Sequence, residues 1–232
     1  MKLLAFDAST ETLTVALTRP VDGIWQVWEY CGAGGAQAST SLIANIFALL
    51  RRAGIQVQEL DAIAFGQGPG SFTGLRCACS VAQGLGFGAR VPLLPVDTLL
   101  AVAEEARYLY GEGATEFSVL ALLDARMDEV YAASFGFQSG RWMCLQEQRL
   151  VAPQDLPAAP LLAGNAFTVY GDRLHCRPGA RRLEALPTAT ALLRLAPALL
   201  ASGSAVSPER AWPLYLRDKV AKTTLERAAQ AL

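Results

Sequence analysis

One histidine, His175, is present in 232 residues. A catalytic metal held by two histidines is therefore beyond this chain acting alone. Serine–histidine and cysteine–histidine hydrolase schemes would all have to run through His175. It sits in a polar loop with Asp172, Arg173 and Arg177 and reads as a solvated surface residue. The cysteines, Cys31, Cys77, Cys79, Cys144 and Cys176, are odd in number and form no C-x-x-C pair. The expectation is free thiols in a reducing cytoplasm. Neither sign of charge is in excess, since 20 Lys+Arg stand against 21 Asp+Glu, and no broad field advertises a nucleic acid. The first apolar run breaks at Asp7, too early for a signal peptide or a membrane span. Hydrophobic residues make up 52% of the chain and charged ones 18%. That excludes disorder and leaves one large domain or two modest ones.

What is present reads as α/β. Lys2–Phe6 is an apolar run ending at an Asp, as in a strand buried on both faces. Thr12–Thr18 alternates, with Leu13, Val15 and Leu17 on one face and threonines on the other, which predicts a half-buried strand. Asp22-Gly23 marks a turn into a third strand, Ile24–Tyr30. Apolar residues recurring at three and four predict a helix over about 39–52, closed by Gly54. A strand at 60–65, a glycine-rich turn at 66–70, a small-residue helix at 72–87 and a strand at 91–96 follow. Asp97 is placed to cap a helix reaching Tyr110.

The pattern then restarts. Phe117–Leu123 is another apolar run ending at an Asp, followed by a strand at 129–137. Placing Asp7 over Asp124 aligns the two strand–Asp-turn–strand openings and puts Leu13 over Val130 and Ala16 over Ala133. Beyond this, prolines break the second half into short pieces. One clear helix remains at 189–201, and an extended stretch at 211–216 is expected to pack back on the first domain.

Two segments invite chemistry. Asp7-Ala8-Ser9-Thr10 could orient a metal-bound water or donate to a phosphate, or be an Asx-turn in which Asp7 bonds its own backbone. Gly66–Arg76 runs from strand to helix and is neither a Walker A loop nor G-x-G-x-x-G. Its amides and helix dipole could meet an anion, or it is a tight turn with Ser71 as N-cap and glycines allowing close helix–sheet approach. The helix behind it is almost bald, and its interior glycines each cost about 1 kcal/mol against alanine. Close approach by another helix would compensate, with the 42–50 stripe as candidate neighbour in a two-helix face for a partner, or both helices simply cover the sheet. Cys77 and Cys79 read as small packing residues.

FGQGPGSFTGLR at 65–76 resembles the signature of the TsaB (YeaZ) family. LLAFDAST at 3–10, LPVDTLLAVA at 94–103, LDARMDEVYAASF at 123–135 and PLYLRDKVA at 213–221 agree in the same order. The resemblance implies a duplicated fold of the actin/sugar-kinase/heat-shock-chaperone class, with mixed sheets and helices and a reduced second domain. The first domain is expected over 1–110 and the second over 111–205, with 206–232 packed back on the first. In that class Asp7, Ser9 and Thr10 match the first phosphate loop, here degenerate.

The resemblance also implies an accessory subunit without catalytic activity of its own. Its partner would be the catalytic paralogue TsaD, in synthesis of threonylcarbamoyladenosine beside the anticodon of ANN-decoding tRNAs. The ATPase TsaE would join the pair, with TsaC and tRNA met indirectly. No cofactor is required by this reading, and ATP or ADP, where bound, would sit at an interface with partners. The implied partner interface takes Leu42, Ile43, Ile46 and Leu50 from the first helix. Gly70, Ser71, Phe72, Arg76, Cys77, Ser80 and Gly84 complete it, with a homodimer through the same helices when the partner is absent. Gly34–Ser39 lacks the histidine that relatives carry before the first helix, so no role transfers from it. An ATP-dependent phosphotransferase or a peptidase is the competing class, and tRNA reading by Arg173, Arg177, Arg181 and Arg182 a third reading.

Overall fold

The computed structural model describes residues 1–111 and 114–217. The first half runs β1 (Leu3–Asp7), β2 (Thr12–Val21), β3 (Ile24–Ala33), α1 (Ala38–Ala53), β4 (Ala62–Gly68), α2 (Phe72–Ala89), β5 (Leu93–Asp97) and α3 (Thr98–Tyr110). The second runs β6 (Glu116–Asp124), β7 (Val130–Gln138), β8 (Arg141–Val151), β9 (Leu161–Gly164), α4 (Ala166–Tyr170), β10 (Arg181–Glu184) and α5 (Ala189–Ala201). No helix among the described residues is long and apolar enough to cross a membrane.

The two halves repeat one sheet. The first has the order β3-β2-β1-β4-β5 and the second β8-β7-β6-β9-β10. In each, the opening strand pairs antiparallel with the second and parallel with the fourth. This is the duplicated mixed-sheet architecture of the actin/sugar-kinase/heat-shock-chaperone class. Asp7 and Asp124 end equivalent strands, as the repeat predicts, but the alignment slips by one at the turn. Asp7 lies opposite Thr14 whereas Asp124 lies opposite Val130, so the second hairpin is a residue shorter. Ala16 therefore matches Ala132, the partner of Leu122, and not Ala133.

β2 departs from the half-buried expectation. Thr14 and Thr18 are buried, because helices cover both faces of the first sheet. Thr14 Oγ1 accepts the Ala189 N–H at the start of α5 (2.9 Å), and Thr18 Oγ1 donates to the Gln26 carbonyl. Hydroxyls that read as solvent-facing are instead paired where water is excluded.

The helices that follow the two sheets are exchanged. α3 buries Leu99, Val102, Ala103 and Ala106 against the second sheet, with Val119, Ala121 and Tyr131. α5 lays Ala189, Leu192, Leu193 and Ala196 on the first sheet, with Leu3, Ala16, Ala64 and Leu94. This corrects the expected division at 111–205, since α5 belongs by packing to the first sheet. Its apolar stripe has no other sheet face to cover. Glu104 of α3, 2% exposed, ties the layers together. It accepts two bonds from Arg107 (3.0 and 2.9 Å), one from Arg194 Nε of α5 (3.0 Å) and one from Trp142 Nε1 of β8 (2.9 Å). Its neighbour Glu105 pairs with Arg194 and accepts from Thr188 Oγ1 (2.8 Å).

The second lobe has no helix where α1 stands in the first, and α4 is a five-residue counterpart of α2. β9, β10 and α4 lie in the stretch that the prolines made hard to read, and β8, which precedes those prolines, was not anticipated either. Of the C-terminal segment, 206–217 crosses α2 as a strap. Leu214 N–H donates to the Gln67 carbonyl (2.8 Å), Gln67 Nε2 to the Trp212 carbonyl (3.0 Å), and Gln83 Nε2 to the Ala211 carbonyl (2.9 Å). Val206 bridges to edge strand β5 at Leu93. Residues 218–232 lie outside the described residues.

Candidate functional site

The β1–β2 turn is sealed by the glycine-rich segment. Asp7 is wholly buried. Its Oδ1 accepts from Ser9 N–H (2.9 Å) and Ser9 Oγ (2.7 Å), an Asx-type turn, while Oδ2 has no partner. Desolvation pushes the carboxyl up to about 6, against the two Ser9 bonds that pull it down. A Cβ on Gly66 would stand 1.8 Å from Asp7 Oδ2, and one on Gly74 1.8 Å from the Ala8 carbonyl oxygen. Glycine is needed here for close approach of loop and helix to the turn. Ser71 N–H donates to the Ser9 carbonyl (2.7 Å), fixing the loop on the turn. Ser71 occupies the N-cap position of α2, but its side chain makes no cap bond, contrary to expectation.

Ser9 and Thr10 border a cleft of about 510 Å³ between the lobes, faced by Asp124, Tyr131, Asn165 and Arg217. Asp7 does not reach it. Both arginines of the cleft are engaged by carboxylates of the chain itself, Arg126 with Glu11 across the mouth and Arg217 with Glu129. Asp124 accepts from Arg126 N–H (2.8 Å) and from Tyr170 Oη (2.7 Å). Burial, then the Asp124 carboxylate, pushes the Tyr170 phenol above its ordinary range. His175 is exposed on its loop.

The other feature is the α1–α2 face. Leu42, Ile46 and Leu50, expected at a partner interface, lie in the core beneath α1 with Val15, Phe65 and Ala78. The reason is helical phase: the apolar stripe faces the sheet, as for most surface helices. Of the expected α1 residues only Ile43 is open, at 50% exposure, and Phe47, one turn on, is 40% exposed. On α2, Arg76, Ser80 and Gly84 are exposed, Phe72 and Cys77 half-buried, and Phe87 59% exposed. Gly70 and Ser71 turn toward the cleft. A Cβ on Gly84 or Gly88 would meet nothing within 4 Å. Between the helices runs a groove of about 470 Å³, with Phe47, Leu50, Arg51, Ile55, Gly84 and Leu85 among its walls. Burial pushes the Cys77 and Cys79 thiols up, away from thiolate character.

Comparison with known proteins shows the family. The family model described as "TsaD: tRNA N6-adenosine threonylcarbamoyltransferase" matches residues 36–157. The "tRNA threonylcarbamoyladenosine biosynthesis protein TsaB" of Escherichia coli is 34% identical over 95% of this chain and 96% of its own length. The chain belongs to the TsaB family. TsaB of Haemophilus influenzae is 32% identical, covering 95% of each chain. The solved structure "YeaZ from Pseudomonas aeruginosa" superposes with a TM-score of 0.81 at 35% identity, over 93% of this chain and 99% of that one.

Within this TsaB-family fold, sequence reasoning missed Phe47, Phe87 and the strap aromatics Trp212 and Tyr215. The first two could have been found from phase alone, since Phe47 lies at i+4 from Ile43 and Phe87 at i+3 from Gly84. Trp212 and Tyr215 come to α2 through a tertiary crossing that no local pattern announces.

Proposed function

We propose that the chain serves tRNA threonylcarbamoyladenosine biosynthesis as a non-catalytic subunit that docks a TsaD-type catalytic paralogue on α1 and α2. The observation that carries this reading is the open helix face: Ile43, Phe47 and Phe87 stand exposed around bare Gly84 and Gly88. An exposed apolar surface of this kind is the usual mark of a protein contact. The sealed Asp7 turn supports the non-catalytic part. An acid that is buried beneath Gly66 cannot position a nucleotide phosphate or an attacking water.

On this reading TsaE joins the pair, TsaC supplies its substrate and tRNA is met by the assembly in the cytoplasm. Nucleotide, where it binds, does so between subunits. The test is co-expression with the cognate TsaD and pull-down of wild type, Phe47→Ser and Gly84→Gln, followed by reconstituted tRNA modification. Loss of the complex in both variants, with modification dependent on the wild-type chain, is expected. Undiminished co-purification of both variants overturns the docking face, and ATP turnover by the isolated chain overturns the non-catalytic role.

A further inference from the structure

We infer that the α1–α2 face is built for an acidic partner surface and that Arg76 is its pre-set anchor. This deepens the docking reading above and rests on it. From residue 35 to 58 and from 62 to 96 the sequence holds four arginines, Arg51, Arg52, Arg76 and Arg90, and no aspartate or glutamate. The whole chain has slightly more acids than bases, so this stretch is selectively stripped of negative charge.

All four arginines are exposed, and among the described residues none forms a salt bridge. Of the carboxylates near the stretch, Glu11 pairs with Arg126, Glu59 with Lys2, Asp61 accepts the Lys2 N–H and Asp97 caps α3. Glu209, on the short turn beside α2, accepts from Ser207 Oγ (2.6 Å).

Arg76 is held before any partner arrives. Its Cζ lies 3.7 Å from the centroid of the Phe72 ring and 5.9 Å from that of Tyr215. Its Nε donates to Tyr215 Oη (2.9 Å). Stacking fixes the guanidinium plane, and among the described residues the two terminal nitrogens have no partner, a fork shaped for one carboxylate. Because that side chain is ordered on folding, less rotamer entropy is lost on binding. Arg51 borders the groove beside Gly84, and Gly84 lies about 12 Å along α2 from Arg76. A partner helix pair with carboxylates at that separation satisfies both cations while its apolar ridge fills the groove.

The same count speaks against a second copy as the occupant. A two-fold contact through this face sets four arginines against four, with no acid on α1 or α2 between them. The homodimer expected from the resemblance is therefore the weaker pairing, and salt strengthens it where salt weakens the complex with TsaD.

The test is titration of the full chain with its purified cognate TsaD from about 50 to 500 mM NaCl. Affinity is expected to fall about tenfold or more over that range, and Arg76→Glu to weaken binding by a similar factor. Arg76→Lys should recover only part of it. Melting temperatures of these surface variants report that they fold. Gly84→Gln, which adds bulk without charge, is the control for the face itself. If Gly84→Gln abolishes the complex while Arg76→Glu, Arg51→Glu and salt leave affinity unchanged, the acidic-partner inference is overturned and the docking face stands. If Gly84→Gln binds as wild type does, the docking reading falls and takes this inference with it. A homodimer tighter than the complex, unaffected by Arg76→Glu, also overturns it.

Discussion

Asp7 and Gly66 occupy adjoining strands so closely that a methyl group on the glycine would stand 1.8 Å from the unpartnered Asp7 Oδ2. The residue best placed by sequence to hold a phosphate is thus enclosed by protein. Gly66→Ala has no room to relax, because both strands are central to the first sheet. It should cost about 3 kcal/mol, read from urea unfolding.

Asp7 also sets a pH dependence. Its carboxyl titrates in the folded protein at about 6, against a model value of 3.8. The native state therefore holds a proton that the unfolded chain has released across that window. The contribution is fully present below about pH 4 and is lost as pH rises to and through about 6. Asp97, half-buried at the α3 N-cap and also raised to about 6 by desolvation, acts with the same sign. Asp7→Asn should accordingly gain about 1–3 kcal/mol over wild type at about pH 8 and little at about pH 4. Thermal melts at both pH values check this, and equal effects at the two would contradict it.

Glu104 is the charge on which the two lobes converge. Glu104→Ala strands Arg107, leaves Arg194 with Glu105 alone and frees the Trp142 indole N–H. The expected loss is about 3–5 kcal/mol. The transition should stay single for both lobes, since α3 and α5 cross-link them. Separate melting of the lobes in calorimetry would contradict this account.

Ile46 and Phe47 are sequence neighbours with opposite assignments. Ile46 is fully buried and Phe47 is open. Ile46→Asp should unfold the chain, costing more than about 4 kcal/mol by leaving an unpaired charge in the core. Phe47→Ser should change the melting point little. Circular dichroism melts separate the two, and a stable Ile46→Asp would place α1 in a different phase.

Thr14→Val keeps shape but removes the acceptor for the Ala189 N–H. A loss of about 1–2 kcal/mol is expected, mostly from an unsatisfied buried amide. Faster hydrogen exchange at the first turn of α5 is the accompanying signature.

The first half of the fold was legible because its signals are local. Gly54 adopts the left-handed C-cap conformation (φ 66°), and Asp97 Oδ1 accepts from Leu99 and Leu100 as an N-cap should. The repeat was visible at Asp7 and Asp124 because both end fully paired strands. β9 and β10 were not, being only four residues each between prolines. At the candidate site, the bald α2 and the neighbouring stripe left a two-helix face open, and the resemblance pointed to it as the interface. The error lay in taking the apolar stripe, Leu42, Ile46 and Leu50, for the docking side. A stripe on a helix does not declare whether a sheet or a partner covers it, and here the sheet does. Burial of Thr14 and the place of α5 depend on which layer lies across the sheet, which no window of sequence contains.

The exchange of α3 and α5 between the sheets has a consequence for how the polypeptide can be divided. Cut after residue 111, each fragment would keep the other's lid and lose its own, exposing one bare sheet face. Neither piece should be soluble as a folded unit, whereas the two mixed together should reassemble into one body. The two halves of the fold are mutually dependent.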